Sequence, residues 1–136
     1  MVEINVEYEG NLRCRAIHGP SGCELSTDAP KDNEGLGQSF SPTDLVATAL
    51  GSCVATIMGI YARKHDLDLT GVKVHVEKHM STDMPRRIVR LPVTIHVPIQ
   101  LSDRHKTAME NAAGHCPVHQ SIRADIDAPL VFKYAE

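Results

Sequence analysis

SFSPTDLVATALGSCVATIMGIYARKH, Ser39 to His65, decides the fold. Ser41 is a good N-cap, Pro42 suits the first helical position, and Asp44 puts a carboxylate at the positive end of the helix dipole. From Leu45 to Ala62 there is no charged residue. A helix apolar on nearly every side is expected to be buried, with the rest of the chain wrapped around it. Its length is borderline for a membrane span. Thr48, Gly51, Ser52, Thr56 and Gly59 dilute its hydrophobicity, and strand-like sequence flanks it on both sides, so a membrane helix is not expected. Ala47, Gly51, Ala55 and Gly59 fall four apart on one face, where another element could approach the backbone closely. One cysteine, Cys53, stands in the middle.

On the N-terminal side, Met1–Glu9 alternates Val2, Ile4, Val6 and Tyr8 with polar residues, the pattern of a half-buried strand. Gly10 and Asn11 form a turn, 12–18 a second strand, GPSG (19–22) a second turn, and 23–27 a third strand. Arg13 and Arg15 share one side of the second strand and Cys14 takes the other. A turn centred on Pro20 and Ser21 does not make Cys14 and Cys23 cross-strand partners. A polar loop, 28–39, then leads to the helix.

On the C-terminal side, Val72–His79 and Arg86–Pro98 read as strands, the second long and carrying Pro92, which argues for an edge or a bulge. Ser102 caps a helix over Asp103–Gly114. In HCPVHQSI, Pro117 fits the first turn of a short helix with Cys116 at or near its N-cap. Residues 127–134 form a last strand. The order βββ–α–ββ–α–α–β is an α+β fold.

The chain of 136 residues is expected to be one domain, 1–136. A net charge of −3 gives no reason to expect nucleic acid or an anionic membrane as partner. Met1 leads directly into strand sequence, so no secretory leader is expected and a cytoplasmic location follows, where thiols stay reduced. The four cysteines contain no CxxC pair, which weakens a structural zinc reading.

A thiol reacts as thiolate. Cys116, at a helix start, would have its thiolate favoured by the dipole and free N–H groups. Cys53, in mid-helix, would need a cation, and Arg13 or Arg15 could supply it. If the two cysteines meet, they form an oxidisable pair in which one attacks and the other resolves. The plainer reading of Cys53 is a small core hydrophobe, and of the two arginines a solvated strand face. His115, Cys116 and His119 could be set against a metal, but Pro117 starts a new turn between them and no fourth ligand is evident.

SPTDLVATALGSCVATIM followed downstream by HCPVHQSI resembles the OsmC/Ohr family, the osmotically inducible and organic-hydroperoxide-resistance proteins. The element order agrees over almost the whole chain. The resemblance implies an intertwined homodimer with the long helices buried between curved sheets and two active sites at the subunit interface. It implies that Cys53 attacks the peroxide and Cys116 resolves it. It implies that an arginine of the N-terminal hairpin, Arg13 first and Arg15 second, lowers the thiolate pKa. Substrates would be organic hydroperoxides, the reductant a dithiol such as a lipoyl group, with no metal, flavin or other cofactor. Members of the Ohr and OsmC type carry a glutamate ten residues before the helix cysteine, paired with the arginine. Thr43 stands there in this chain, with Asp44 next, about 100° round the helix. Asp44 could serve as that acid or act only in the first turn of the helix. The sequence is similar to the general OsmC-like branch. The competing expectation is a non-enzymatic dimer that binds an apolar ligand or senses redox state, marked by slow alkylation of both cysteines.

Overall fold

The computed structural model describes residues 1–136, and the chain divides into two compact units, Met1–Val46 and Ala47–Glu136. The first unit is an antiparallel meander of β1 (Ile4–Gly10), β2 (Arg13–His18) and β3 (Glu24–Asp28). Its register sets Arg13 opposite Asp28, Cys14 opposite Thr27 and Arg15 opposite Ser26. That register is centred on Pro20 and Ser21, so Cys14 and Cys23 are not paired across the sheet. The 28–40 segment folds back on the sheet edge. The Asp28 N–H donates to the Phe40 carbonyl at 3.1 Å, and the Ser39 hydroxyl to the Ser26 carbonyl at 2.8 Å.

α1 runs Pro42–Lys64. Its start is a reciprocal cap: the Asp44 N–H donates to Ser41 Oγ at 3.1 Å, and the Ser41 N–H donates to Asp44 Oδ2 at 2.9 Å. Two of the orphan donors at the helix start are thereby satisfied.

In the second unit, β4 (Lys73–Val76), β7 (Val93–Val97) and β8 (Leu130–Tyr134) form a sheet in that order, β7 and β8 parallel. The parallel pair needs a long crossover. α2 (Asp103–Gly114) and α3 (Pro117–Ser121) supply it. A small ladder joins β5 (His79–Met80) to β6 (Ile88–Arg90). The expected single strand over 86–98 is thus two, parted at Leu91–Pro92. Proline has no N–H to give a ladder. The Pro92 carbonyl still accepts from the Glu77 N–H at 3.1 Å.

The core is built from Leu50, Val54 and Met58 of α1, Val93, Ile95 and Val97 of β7, and Met109 and Ala113 of α2. Gly51 allows the close approach: a Cβ built there would lie 2.8 Å from Val76 Cγ2 and 3.5 Å from Val74 Cγ1. By length and apolarity alone α1 could cross a membrane, but its apolar stripe is sealed against protein.

The helix differs from expectation in one respect. Burial follows a single stripe, Ala47, Leu50, Gly51, Val54, Met58 and Ala62, spaced at the helical repeat. Thr56, Gly59 and Ile60 are exposed, Ile60 to 47%. Within the second unit α1 meets β4 at Gly51, and α2 at Tyr61, whose hydroxyl lies 2.9 Å from His105 Nδ1. A run of small residues was expected to face a neighbour throughout; Ala47 and Gly51 do, whereas nothing lies within 4 Å of a Cβ at Gly59.

Candidate thiol site

The helical repeat turns Cys53, one residue before buried Val54, to the edge of the buried stripe, where it is partly exposed. Cys116 comes from the other side of the crossover. Pro117 occupies the first turn of α3, and Cys116 is the N-cap with extended backbone, its Sγ accepting from the His119 N–H at 3.3 Å. It is fully buried. The Cys53 thiol is near enough to Cys116 to act on its ionisation, and all four cysteines are free thiols.

Burial pushes the Cys116 thiol up from its ordinary range; the His119 N–H pulls it back, and the neighbouring Cys53 sulfur, by hydrogen bond and charge, raises it again. This reverses the expectation that a helix start would favour the Cys116 thiolate. A five-residue helix offers two N–H groups, from His119 and Val118, and full desolvation outweighs both. A thiol that burial holds back from ionising suits the second step of a pair rather than the first.

The histidines flanking Cys116 are engaged elsewhere. His115 Nδ1 meets the Asn111 carbonyl at 2.7 Å, and His119 Nε2 meets the Ala128 carbonyl at 3.3 Å. No group of three or more His, Cys, Asp or Glu side chains is arranged to hold a metal ion.

In the first unit, Arg13 has a defined acid partner that sequence reasoning missed. Asp28, at the end of β3, is 1% exposed. Its Oδ2 lies 3.6 Å from Arg13 Nη2 and accepts the Gln38 N–H at 3.0 Å. Arg13 also donates to the Gln38 side-chain oxygen. Oδ1 of Asp28 is buried with no hydrogen-bond partner. The signal was available: a hairpin centred on Pro20 and Ser21 sets residue 28 opposite residue 13. Arg15 is held differently, between Glu24 at 3.3 Å and Glu7 at 3.4 Å, both well exposed. Asp44 is bound to the backbone of its own helix cap and Thr43 Oγ1 lies 3.2 Å from Ser41 Oγ.

Comparison with known proteins agrees with this architecture. A protein of Psychrobacter arcticus 273-4, provisionally assigned to osmotic stress induction and detoxification response, has a crystal structure that matches with a TM-score of 0.93 at 43% identity, over 98% of this chain and 96% of that one. An organic hydroperoxide resistance protein OsmC of Legionella pneumophila matches at 0.74 and 18% identity, over 98% and 96%. A provisionally assigned organic hydroperoxide resistance protein of Vibrio cholerae, with captopril in one of its active sites, matches at 0.76 and 18%, over 97% and 90%. The last two show likeness of fold. A search of functionally curated proteins returns no significant match. Residues 35–130 fit the family of OsmC-like proteins, and with the 43% identical relative this establishes that the chain belongs to the OsmC-like family.

Proposed function

We propose that this OsmC-like protein is a thiol peroxidase for organic hydroperoxides, acting as a homodimer in oxidative stress defence. The observation that carries the reading is the neighbouring pair of free thiols, Cys53 partly open and Cys116 sealed. The Cys53 thiolate attacks the terminal oxygen of the hydroperoxide. The O–O bond breaks, Cys53 becomes a sulfenic acid, and the alkoxide leaves and takes up a proton. The Cys116 sulfur then attacks the Cys53 sulfur; an S–S bond forms, the S–O bond breaks, and the oxygen departs as water. A dithiol such as a lipoyl group reduces the disulfide and is itself oxidised to one.

Arg13 is the guanidinium we assign to the thiolate and the leaving alkoxide. Asp28 supports that choice over Arg15, because a buried carboxylate holds a cation in place better than two exposed glutamates do. Asp44 belongs to the candidate set by position, and its observed bond is that of a cap. The reading needs reduced cysteines, hence a cytoplasmic location.

The test is consumption of cumene hydroperoxide with dihydrolipoamide as reductant, beside the Cys53→Ser variant and beside hydrogen peroxide. Turnover that prefers the organic peroxide and disappears in the variant supports the proposal. Absence of turnover with slow alkylation of both cysteines refutes it.

A second reading, a non-enzymatic dimer that holds an apolar ligand, is favoured by one feature. An open cleft of about 490 Å³ lies beside the C-terminal half of α1, with apolar wall from Ala55, Ala62, Leu67, Leu69 and Val72 beside the polar Arg63, Asp68 and Thr70. Neither Cys53 nor Cys116 lines it. Ligand there would leave the alkylation rate of Cys53 unchanged.

A further inference from the structure

The geometry points to His119 as a positioning residue for the resolving thiol: its side chain props α3 against the segment that leads into β8 so that its own N–H stays aimed at Cys116 Sγ. The inference rests on the peroxidase reading for its biological sense, but its test does not need a peroxide.

α3 is one turn long, far too short to hold itself together in water. Several bonds tie it to its own neighbourhood. The Gln120 N–H donates to the Cys116 carbonyl at 3.1 Å, and the Ile122 N–H to the Val118 carbonyl at 3.1 Å. Ser121 Oγ donates to the Pro117 carbonyl at 2.7 Å, and Gln120 Nε2 to the Gly114 carbonyl at 3.3 Å. Among these bonds, the contact of His119 Nε2 with the Ala128 carbonyl at 3.3 Å is the one that reaches across to the sheet side of the unit. Ala128 is a fixed point. It lies between Asp127, whose carbonyl accepts from the Leu91 N–H at 2.8 Å, and Pro129, whose carbonyl accepts from the Val93 N–H at 2.9 Å. Since the Ala128 carbonyl can only accept, Nε2 carries the hydrogen. A neutral ring in that tautomer and a protonated ring both keep the strut.

The same residue therefore has two tasks. Its side chain fixes α3 to the frame, and its main-chain N–H donates to Cys116 Sγ at 3.3 Å. A backbone donor stabilises a sulfur that must become an anion, and it does so only while the turn is held. In a site where burial opposes ionisation, the donor governs how fast Cys116 can act.

The experiment compares wild type, His119→Leu, which loses the strut, and His119→Gln, whose side-chain amide can still donate. Each reduced protein is oxidised in separate arms with stoichiometric cumene hydroperoxide and with diamide, across pH 6 to 10. The Cys53–Cys116 disulfide is followed by mass after alkylation, and sulfenic acid by dimedone trapping. Expected for His119→Leu is disulfide formation slowed about ten-fold with both oxidants, and its pH profile displaced to higher pH. In the peroxide arm, dimedone-trapped sulfenic acid accumulates while its rate of appearance matches wild type. His119→Gln returns to within about three-fold of wild type. Equal disulfide rates in wild type and His119→Leu overturn the inference. So does a slowing of the first oxidation as large as that of the second step, which would mean general loss of structure. A wild-type chain that forms the disulfide with diamide but not with cumene hydroperoxide overturns the peroxidase reading alone, and the diamide rates then decide the role of His119.

Discussion

Two thiols in one pair differ because their surroundings differ. Cys53 sits at the margin of a buried stripe, while Cys116 is sealed at the head of a one-turn helix. The division of labour proposed for them predicts separable losses. Cys53→Ser should abolish peroxide turnover. Cys116→Ser should consume one equivalent of peroxide and stop, leaving a dimedone-reactive sulfenic acid visible by mass. The raised Cys116 pKa also predicts how stability depends on pH. The unfolded thiol ionises near its ordinary value, 9.0, while the folded one resists. Its contribution to stability is therefore fully present below that value and is lost as pH rises from it through the folded pKa. Urea midpoints should fall over that interval, and less steeply in Cys116→Ala than in wild type; parallel curves would contradict the assignment. The sequence could not show this sign. It placed Cys116 at a helix start, which is a local property and was read correctly. The burial that outweighs the helix start is set by residues distant in the chain. Asp28 is the opposite case. The GPSG turn already fixed the register that pairs it with Arg13, and only the burial of the carboxylate needed the structure.

At the scale of the element, what the sequence revealed of α1 and what it hid have the same cause. Caps are local, so Ser41, Pro42 and Asp44 predicted the start correctly. Removing the carboxylate in Asp44→Ala should cost about 1 kcal/mol, read as a lower urea midpoint at unchanged slope. Which faces of an apolar helix are covered is not local, and all-round burial was the wrong inference for one chain. The stripe that is covered depends on Gly51. Gly51→Ala gains up to about 1 kcal/mol of helix propensity. It also pushes a methyl to 2.8 Å from Val76 Cγ2, inside any contact that real Cβ atoms make. Overpacking of this kind costs about 1–3 kcal/mol. The expected result is a net loss of stability in Gly51→Ala. In the Val76→Ala background the same change should be neutral or stabilising. A double-mutant cycle by thermal or urea unfolding measures the coupling, and additive effects would show that the two do not meet.

The whole molecule leaves a good deal of apolar surface in water for one chain of 14.9 kDa. On β1, Ile4, Val6 and Tyr8 are each 63% exposed, and on α1 Ile60 is 47% exposed beside Gly59. Soluble monomers rarely leave contiguous apolar patches beyond a few hundred Å², and larger ones mark association sites. The proposed homodimer is the arrangement that would cover them, and it would also bury the α1 face that one chain leaves open. Light scattering on the purified protein should then give about twice the chain mass, stable to dilution and to salt, because the contact is apolar rather than ionic. Ile60→Asp tests the helix face directly. A carboxylate forced into an apolar contact costs several kcal/mol unless it finds a partner, so the variant should dissociate or bind its copy far more weakly. In the separated chain Ile60 is already half in water, so the same substitution should leave secondary structure by circular dichroism intact. Loss of the dimer with retained fold places Ile60 in the interface. A variant with the wild-type mass and wild-type dilution behaviour puts the contact elsewhere, and Val6→Asp on β1 then becomes the decisive substitution.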